Sequence, residues 1–421
     1  MPVGNGEASP GARRLAEKFR ISEMLPLGLN AATLIEIFPS LAHPVWYVPA
    51  FLIGACIGSF LNVVIYRVPI GLSVNEPKRS FCPKCKADIP MRLNIPLVSW
   101  LWLRGKCANC RAPIAVRYFG VELLTALLFM AVWWFLQTSV PLGFFLRPEL
   151  GVLLPLWIMA SLFVAIAFID IEHMIIPVSF CVAIAVAGLI SAALWPQLPD
   201  LSGWANLAPT WADGLKQSVL GIVIGGCGLW CMVLLGKFAF GRKKVKFADP
   251  VAWQLIEPDN DEDPIFFEMD GAKTAWWDIF YRKSDRLVIQ ATEAIANGET
   301  FGEGEVVIRE HQVELPGGKV IPLDDLKSLE GKGTSAVIPR EAMGMGDVYL
   351  LGAIGAFFGW AGVVFSLFSA SLYAIVAAIL GRIGFGRPLP FGPFLILGCL
   401  TWMFGGWKLA QWYLDSLVFV R

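Results

Sequence analysis

Eight stretches of this chain, at roughly 45–66, 119–138, 150–169, 174–195, 217–240, 347–360, 361–381 and 389–415, are apolar over lengths suited to a bilayer. About 20 residues of helix cross a hydrocarbon core of about 30 Å. Lipid offers no partner to a backbone N–H or C=O, so segments of this kind must fold as helices. The pattern predicts an α-helical polytopic membrane protein with about eight transmembrane helices. The 347–360 segment is short and glycine-rich, and its boundary with the next is placed near Trp360. Composition agrees: 56% of the 421 residues are apolar or aromatic and 16% are charged, against about 25% charged in an ordinary soluble domain. Lys plus Arg and Asp plus Glu both number 34, so the basic excess of a nucleic-acid binder is missing and no such partner is expected. Residues 1–20 hold no basic stretch leading directly into an apolar core, and no cleavable signal peptide is expected there.

The charges are unevenly distributed, and short loops rich in Lys and Arg stay on the cytoplasmic side of a membrane. Residues 67–118 carry ten such residues against two acids, Glu76 and Asp88. That loop is expected in the cytoplasm, and alternation from it puts Asp170, Lys237, Asp347 and the 382–387 segment on the same side. Arg13, Arg14, Lys18 and Arg20 run against the scheme, because the extension before the first helix would then lie outside. Residues 247–346 differ in kind, with 20 acidic and nine basic residues for a net −11. They read as a soluble insertion. Alternation over Glu305–Glu314, the turn signal Leu315-Pro-Gly-Gly318 and a second apolar run from Lys319 to Leu323 suggest a β-hairpin, while Glu257–Asp263 reads as a solvated loop. The expected division is an N-terminal extension (1–44), a first transmembrane helix (45–66), a cytoplasmic zinc-binding loop (67–118), helices two to five (119–240), a small β-containing acidic insertion (241–343), and helices six to eight (344–421).

Of nine cysteines, Cys56, Cys181, Cys227, Cys231 and Cys399 lie in apolar stretches and read as packing residues. Cys82, Cys85, Cys107 and Cys110 instead form C-x2-C-x21-C-x2-C in polar sequence. Four thiolates surround Zn²⁺ tetrahedrally and leave no position for a catalytic water, so the expected metal is structural. None of the three histidines, His43, His173 and His311, forms a zincin pair, which argues against a metalloprotease.

Two carboxylates stand at span boundaries: Asp170 at the end of Val164-Ala-Ile-Ala-Phe-Ile-Asp170, and Asp347 in Met343-Gly-Met-Gly-Asp347. An ionisable group at the edge of hydrocarbon is costly unless it is paired, hydrated or working. Two close carboxylates share a proton, so that one takes a proton from water while the other donates to a scissile carbonyl. Such groups also serve proton-coupled transport, or are simply solvated with Glu172 or His173 as local partner. Gly344 and Gly346 would let backbone approach a substrate strand. Gly221 to Gly228 lies within a span and is read as a close helix contact rather than a nucleotide loop.

Longer motifs surround these residues: Gly58-Ser-Phe-Leu-Asn-Val-Val-Ile-Tyr-Arg-Val-Pro69, Asn94-Ile-Pro-Leu-Val-Ser-Trp100, Tyr118 to Leu124, Ile169-Asp-Ile-Glu-His173, Gly344-Met-Gly-Asp347 and Pro390-Phe-Gly-Pro393. In this order, with the paired C-x2-C loop, they resemble the type IV prepilin peptidases, bifunctional leader peptidases and N-methyltransferases of pilus and type II secretion systems. The resemblance covers about residues 50–240 and 340–400. It implies an inner-membrane aspartyl peptidase of the Gly-x-Gly-Asp type with Asp170 and Asp347 as catalytic residues. It also implies prepilins and pilin-like secretion proteins as substrates, cut after a glycine on the cytoplasmic side, and S-adenosylmethionine as methyl donor for the newly exposed N-terminal residue. Asn62 and Arg67 are then candidate cofactor-binding residues, with capping and interfacial anchoring as their plainer role. The chain departs from the family at Val178, where a polar residue is usual, at Tyr349, where Lys is frequent, and in carrying the 247–346 insertion. A peptidase without methylation and a non-enzymatic transporter or scaffold are the rival readings.

Overall fold

The computed structural model describes residues 44–76, 81–82, 84–139, 151–203, 210–240, 242–256, 265–280, 285–339, 344–381 and 389–418. The N-terminal extension, the Glu257–Asp263 loop and the 382–387 segment lie outside them. The chain divides into two compact units, one formed by Met1–Gly221 with Ala353–Arg421 and the other by Ile222–Gly352.

Helix α1 (Tyr47–Arg67) is followed by a loop bearing the short helix α2 (Val98–Trp102), then by α3 (Val116–Ser139), α4 (Leu153–His173), α5 (Val178–Leu194) and α6 (Trp211–Phe240). After the insertion come α7 (Met345–Leu380), α8 (Gly392–Thr401) and α9 (Trp407–Val418). Among the described residues six helices are long and apolar enough to cross a membrane, where the sequence suggests eight spans. The difference has two sources. The expected 174–195 span is a helix of only 17 residues, and the expected 347–360 and 361–381 spans run together as the 36 residues of α7. At 1.5 Å per residue α7 is about 54 Å long, well beyond one bilayer crossing. It is broken at Gly359, whose φ of 59° and ψ of −166° are not helical. The carbonyl of Pro199 packs where a Cβ at this position would stand, so Gly359 answers both to backbone conformation and to space.

Small residues set the helix approaches. A Cβ on Gly54 or Gly58 of α1 would stand 2.7 Å from the Cα of Ala126 or Glu122 of α3, so these two glycines, one turn apart, let the backbones touch. Below this contact Leu61, Val64 and Ile65 of α1 pack with Val121 of α3 and with Val164 and Ile169 of α4. In α6, Gly225 packs on the Leu351 carbonyl at 2.6 Å from the position of its missing Cβ, whereas nothing lies near Gly226 or Gly228. The glycine-rich segment is thus a helix contact, as expected.

Residues Arg242–Pro339 form one antiparallel sheet, β3-β2-β1-β9-β4-β6-β7-β8, with β5 paired to β4. Its strands are β1 (Arg242–Ile256), β2 (Phe266–Met269), β3 (Ala272–Ala275), β4 (Leu287–Ala296), β5 (Glu299–Phe301), β6 (Gly304–Ile308), β7 (Gln312–Glu314), β8 (Val320–Pro322) and β9 (Leu329–Pro339). Trp253, Phe267, Ile289, Val306 and Val313 fill its core. The turn at Leu315-Pro-Gly-Gly318 joins β7 to β8, with Gly317 and Gly318 at φ of 92° and 83°. The single strand expected over Glu305–Glu314 is instead two, β6 and β7, which pair through Ile308 and Val313 after a turn closed by the Arg309 amide on the Gln312 carbonyl at 2.8 Å. The inward parity changes at this turn, from even positions at Val306 and Ile308 to an odd one at Val313, while all three face the same core.

Candidate active site and metal centre

The loop between α1 and α3 is built from two copies of one turn. In Cys82-Pro-Lys-Cys-Lys-Ala87 the amide of Cys82 donates to Ala87 and that of Lys86 to Cys82. In Cys107-Ala-Asn-Cys-Arg-Ala112 the amide of Cys107 donates to Ala112 and that of Arg111 to Cys107. Lys86 and Arg111 occupy the same left-handed conformation, at φ of 58° and 59°. Each turn is closed by a single β-bridge, Phe81 with Asp88 and Lys106 with Pro113. Together they bring the four sulfurs within 4.8 Å of one another, with Cys82 and Cys110 Sγ 3.9 Å apart. Tetrahedral Zn²⁺ with bonds of about 2.3 Å requires S···S separations of about 3.8 Å, so the donor set fits that ion.

Electrostatics of the bare thiols agree. The amide of Ala87 holds the Cys85 thiol below its ordinary pKa, and the amides of Cys110 and Asn109 lower Cys107 to about 6. Cys110 is pushed up to about 11: an amide from Ala112 favours its thiolate, but desolvation and the sulfurs of Cys85, Cys107 and Cys82 outweigh it. Four crowded sulfurs cannot all ionise without a cation among them.

Asp170 lies near the C-terminal end of α4 and is 5% exposed. Its Oδ2 accepts the Gly392 N–H at 3.0 Å, from the first turn of α8. Any side chain at Gly392 would intrude, since its Cβ would stand 2.7 Å from Oδ2 and 3.0 Å from Ile176 Cδ1. Pro393 follows with no N–H to offer, so a single backbone donor is aimed at the carboxylate from the positive end of a helix. Glu172, which the sequence offered as a local partner for Asp170, is instead paired with Arg117 of α3, whose guanidinium also stacks on Tyr118. Asp347 stands in the first turn of α7, 7% exposed, after the chain leaves Gly344. The first turn of a helix is a favourable place for a carboxylate.

Asn62 and Arg67 are both buried in α1. The Asn62 amide donates to the Tyr118 carbonyl at 3.0 Å, and Arg67 Nη1 to the carbonyls of Ser73 and Val74 at 3.1 and 3.0 Å. The first bond ties the start of α3 to α1, and the other two tie the loop back to the helix that precedes it. Both side chains are buried and bond backbone carbonyls, while Asn62 Oδ1 is buried without a hydrogen-bond donor among the described residues.

Two further residues take part that the sequence alone does not single out. Gly392 lies in Pro390-Phe-Gly-Pro393, where its spacing assigns it no role, because only the fold brings residue 392 to residue 170. Glu122, within Tyr118 to Leu124, is 9% exposed and accepts the Leu97 N–H at 2.6 Å. It could have been found as the only acid in the 119–138 apolar run.

Helices long and apolar enough to cross a membrane, a four-thiol loop between the first two of them and carboxylates buried at helix ends are the features of a multi-pass membrane protein. Residues 52–136 match the Bacterial Peptidase A24 N-terminal domain, and residues 326–379 match the Type IV leader peptidase family. Three relatives named prepilin leader peptidase/N-methyltransferase align with the chain. That of Myxococcus xanthus is 35% identical over 50% of this chain and 55% of its own. That of Aeromonas hydrophila is 35% identical over 47% and 68%, and that of Aeromonas salmonicida (strain A449) 30% identical over 63% and 83%. The matched region therefore spans only about half of the Myxococcus relative. The chain belongs to the type IV leader peptidase family. No solved structure matches it.

Proposed function

We propose that the chain is a membrane-embedded aspartyl endopeptidase that removes the leader of type IV prepilins and pilin-like secretion proteins and methylates the new N-terminal residue. The observation that carries this reading is Asp170, a carboxylate buried at the end of an apolar helix and held by one backbone amide in a chain of this family. Asp170 and Asp347 activate a water between them. The ionised member takes a proton from the water, whose oxygen attacks the scissile carbonyl. The protonated member donates to the carbonyl oxygen, and the amine leaves with a proton returned from the pair.

Zinc on Cys82, Cys85, Cys107 and Cys110 fixes the loop and takes no part in chemistry, because all four ligand positions are filled by protein. S-adenosylmethionine, when bound, would supply the methyl group. The chain sits in the inner membrane with its basic loop and both carboxylates toward the cytoplasm. It crosses eight times, α7 counting twice by reversing at Gly359. Mass spectrometry of the N-terminus of a co-expressed prepilin tests the reading. A shortened, methylated N-terminus is expected, and an intact leader beside well-folded protein removes the proposal. Shortening without methylation leaves the peptidase alone.

A further inference from the structure

The zinc loop carries an apolar surface that the function above does not use. Met91 is 92% exposed, Trp102 81%, Leu101 58% and Val98 53%. The last three stand at i, i+3 and i+4 on α2 and share a face. Single exposed hydrophobes need no explanation, but three on one face of a short helix, Trp among them, mark a surface with a partner. Arg92, Arg104, Lys106 and Arg111 beside it are exposed, and no carboxylate pairs with them among the described residues.

The depth of this surface follows from one buried hydrogen bond. The amide of Leu97, the residue preceding α2, donates to Glu122 at 2.6 Å. Glu122 stands three residues inside the apolar run that begins at 119, about 4.5 Å along the axis of α3. Leu97 itself has a φ of 63°, a conformation that a leucine rarely adopts, so the bond holds the chain there against a local cost. The start of α2 is thus pinned level with the end of a transmembrane helix. Side chains leaving α2 away from the protein meet the headgroup layer, not bulk water. Trp is the residue that best fits that boundary, and Lys and Arg beside it attract anionic lipid.

We propose that α2 and Met91 form an interfacial foot that inserts into the anionic headgroup layer of the membrane the chain spans, with Glu122 setting its depth. The foot holds the zinc loop at a fixed height over the bilayer.

Fluorine NMR on protein labelled with 5-fluorotryptophan tests this in nanodiscs of phosphatidylcholine, alone or mixed with phosphatidylglycerol. The Trp102 line is assigned by its loss in Trp102→Phe. A nitroxide on the lipid headgroup should broaden it, a water-soluble gadolinium chelate should leave it sharp, and the lipid effect should grow with phosphatidylglycerol. Arg104→Gln with Lys106→Gln touches no buried group and should abolish that growth. Glu122→Ala should expose the Trp102 line to the chelate, with circular dichroism reporting the fold. A wild-type Trp102 line broadened by the chelate and untouched by the lipid label would overturn the foot. Equal lipid broadening in both lipid mixtures would overturn its preference for anionic lipid.

Discussion

At the scale of single residues, the carboxylate at 170 depends on a position that carries no side chain. Asp170→Asn or Asp347→Asn keeps size and removes the shared proton, and each should lower cleavage of a purified prepilin by about a thousandfold or more while zinc content stays unchanged. Near-normal cleavage by either variant would end the aspartyl mechanism. Gly392→Ala is subtler, because the added methyl would lie 2.7 Å from Asp170 Oδ2. We expect kcat to fall at least about tenfold, with stability reduced by about 1–3 kcal/mol from overpacking. Gly226→Ala is the control: nothing lies within 4 Å of its Cβ position, and in a helix interior alanine is favoured over glycine by about 1 kcal/mol. That variant should cleave normally and melt no lower than the parent.

At the scale of elements, the four-cysteine loop is two turns with the same hydrogen-bond pattern whose sulfurs differ in proton affinity. Cys107, lowered to about 6, is a thiolate at neutral pH, whereas Cys110, raised to about 11, still carries its proton. Zinc uptake near pH 7 should therefore release protons, that of Cys110 among them, seen as a buffer-dependent enthalpy in calorimetry. The sign for acid follows. Because Cys107 is depressed, its thiolate is present above about 6 and is lost as pH falls through that value, so zinc affinity should fall more steeply below it. An enthalpy independent of buffer would contradict this charge distribution. Cys82→Ser with Cys107→Ser removes one ligand from each turn, and elemental analysis should then find the zinc gone. Elsewhere in the same loop Arg67→Ala would free the carbonyls of Ser73 and Val74. Limited proteolysis should cut there faster than in the parent.

At the scale of the whole molecule, the insertion is a sheet whose two ends are neighbours. Arg242 of β1 pairs with Pro339 of β9, so the chain leaves and re-enters the membrane part through adjacent antiparallel strands. A short Gly/Ser linker can replace residues 250–335 without changing the path of the flanking chain. Prepilin cleavage by this shortened protein should stay within a few-fold of the parent. A folded but inactive protein would instead make the sheet part of the catalytic machinery.

Apolar runs, a four-cysteine spacing and isolated acids in apolar sequence were legible from the chain alone, because each is a local demand of solvent or metal on residue type. Lipid requires helices of a certain length, Zn²⁺ requires four donors, and an ion near hydrocarbon requires a reason. What the residues do to one another was not legible, because it depends on which backbones come within 3 Å. The 36-residue course of α7 with its break at Gly359, the amide of Gly392 on Asp170 and the grip of Glu122 on Leu97 all arise from such contacts. So does the turn that splits Glu305–Glu314 into two strands, since alternation records which side faces the core and not where the chain reverses. Asn62 and Arg67 show the same division. Their polarity marked them in the sequence, but only the folded loop supplied the carbonyls of Tyr118, Ser73 and Val74 that satisfy their buried donors.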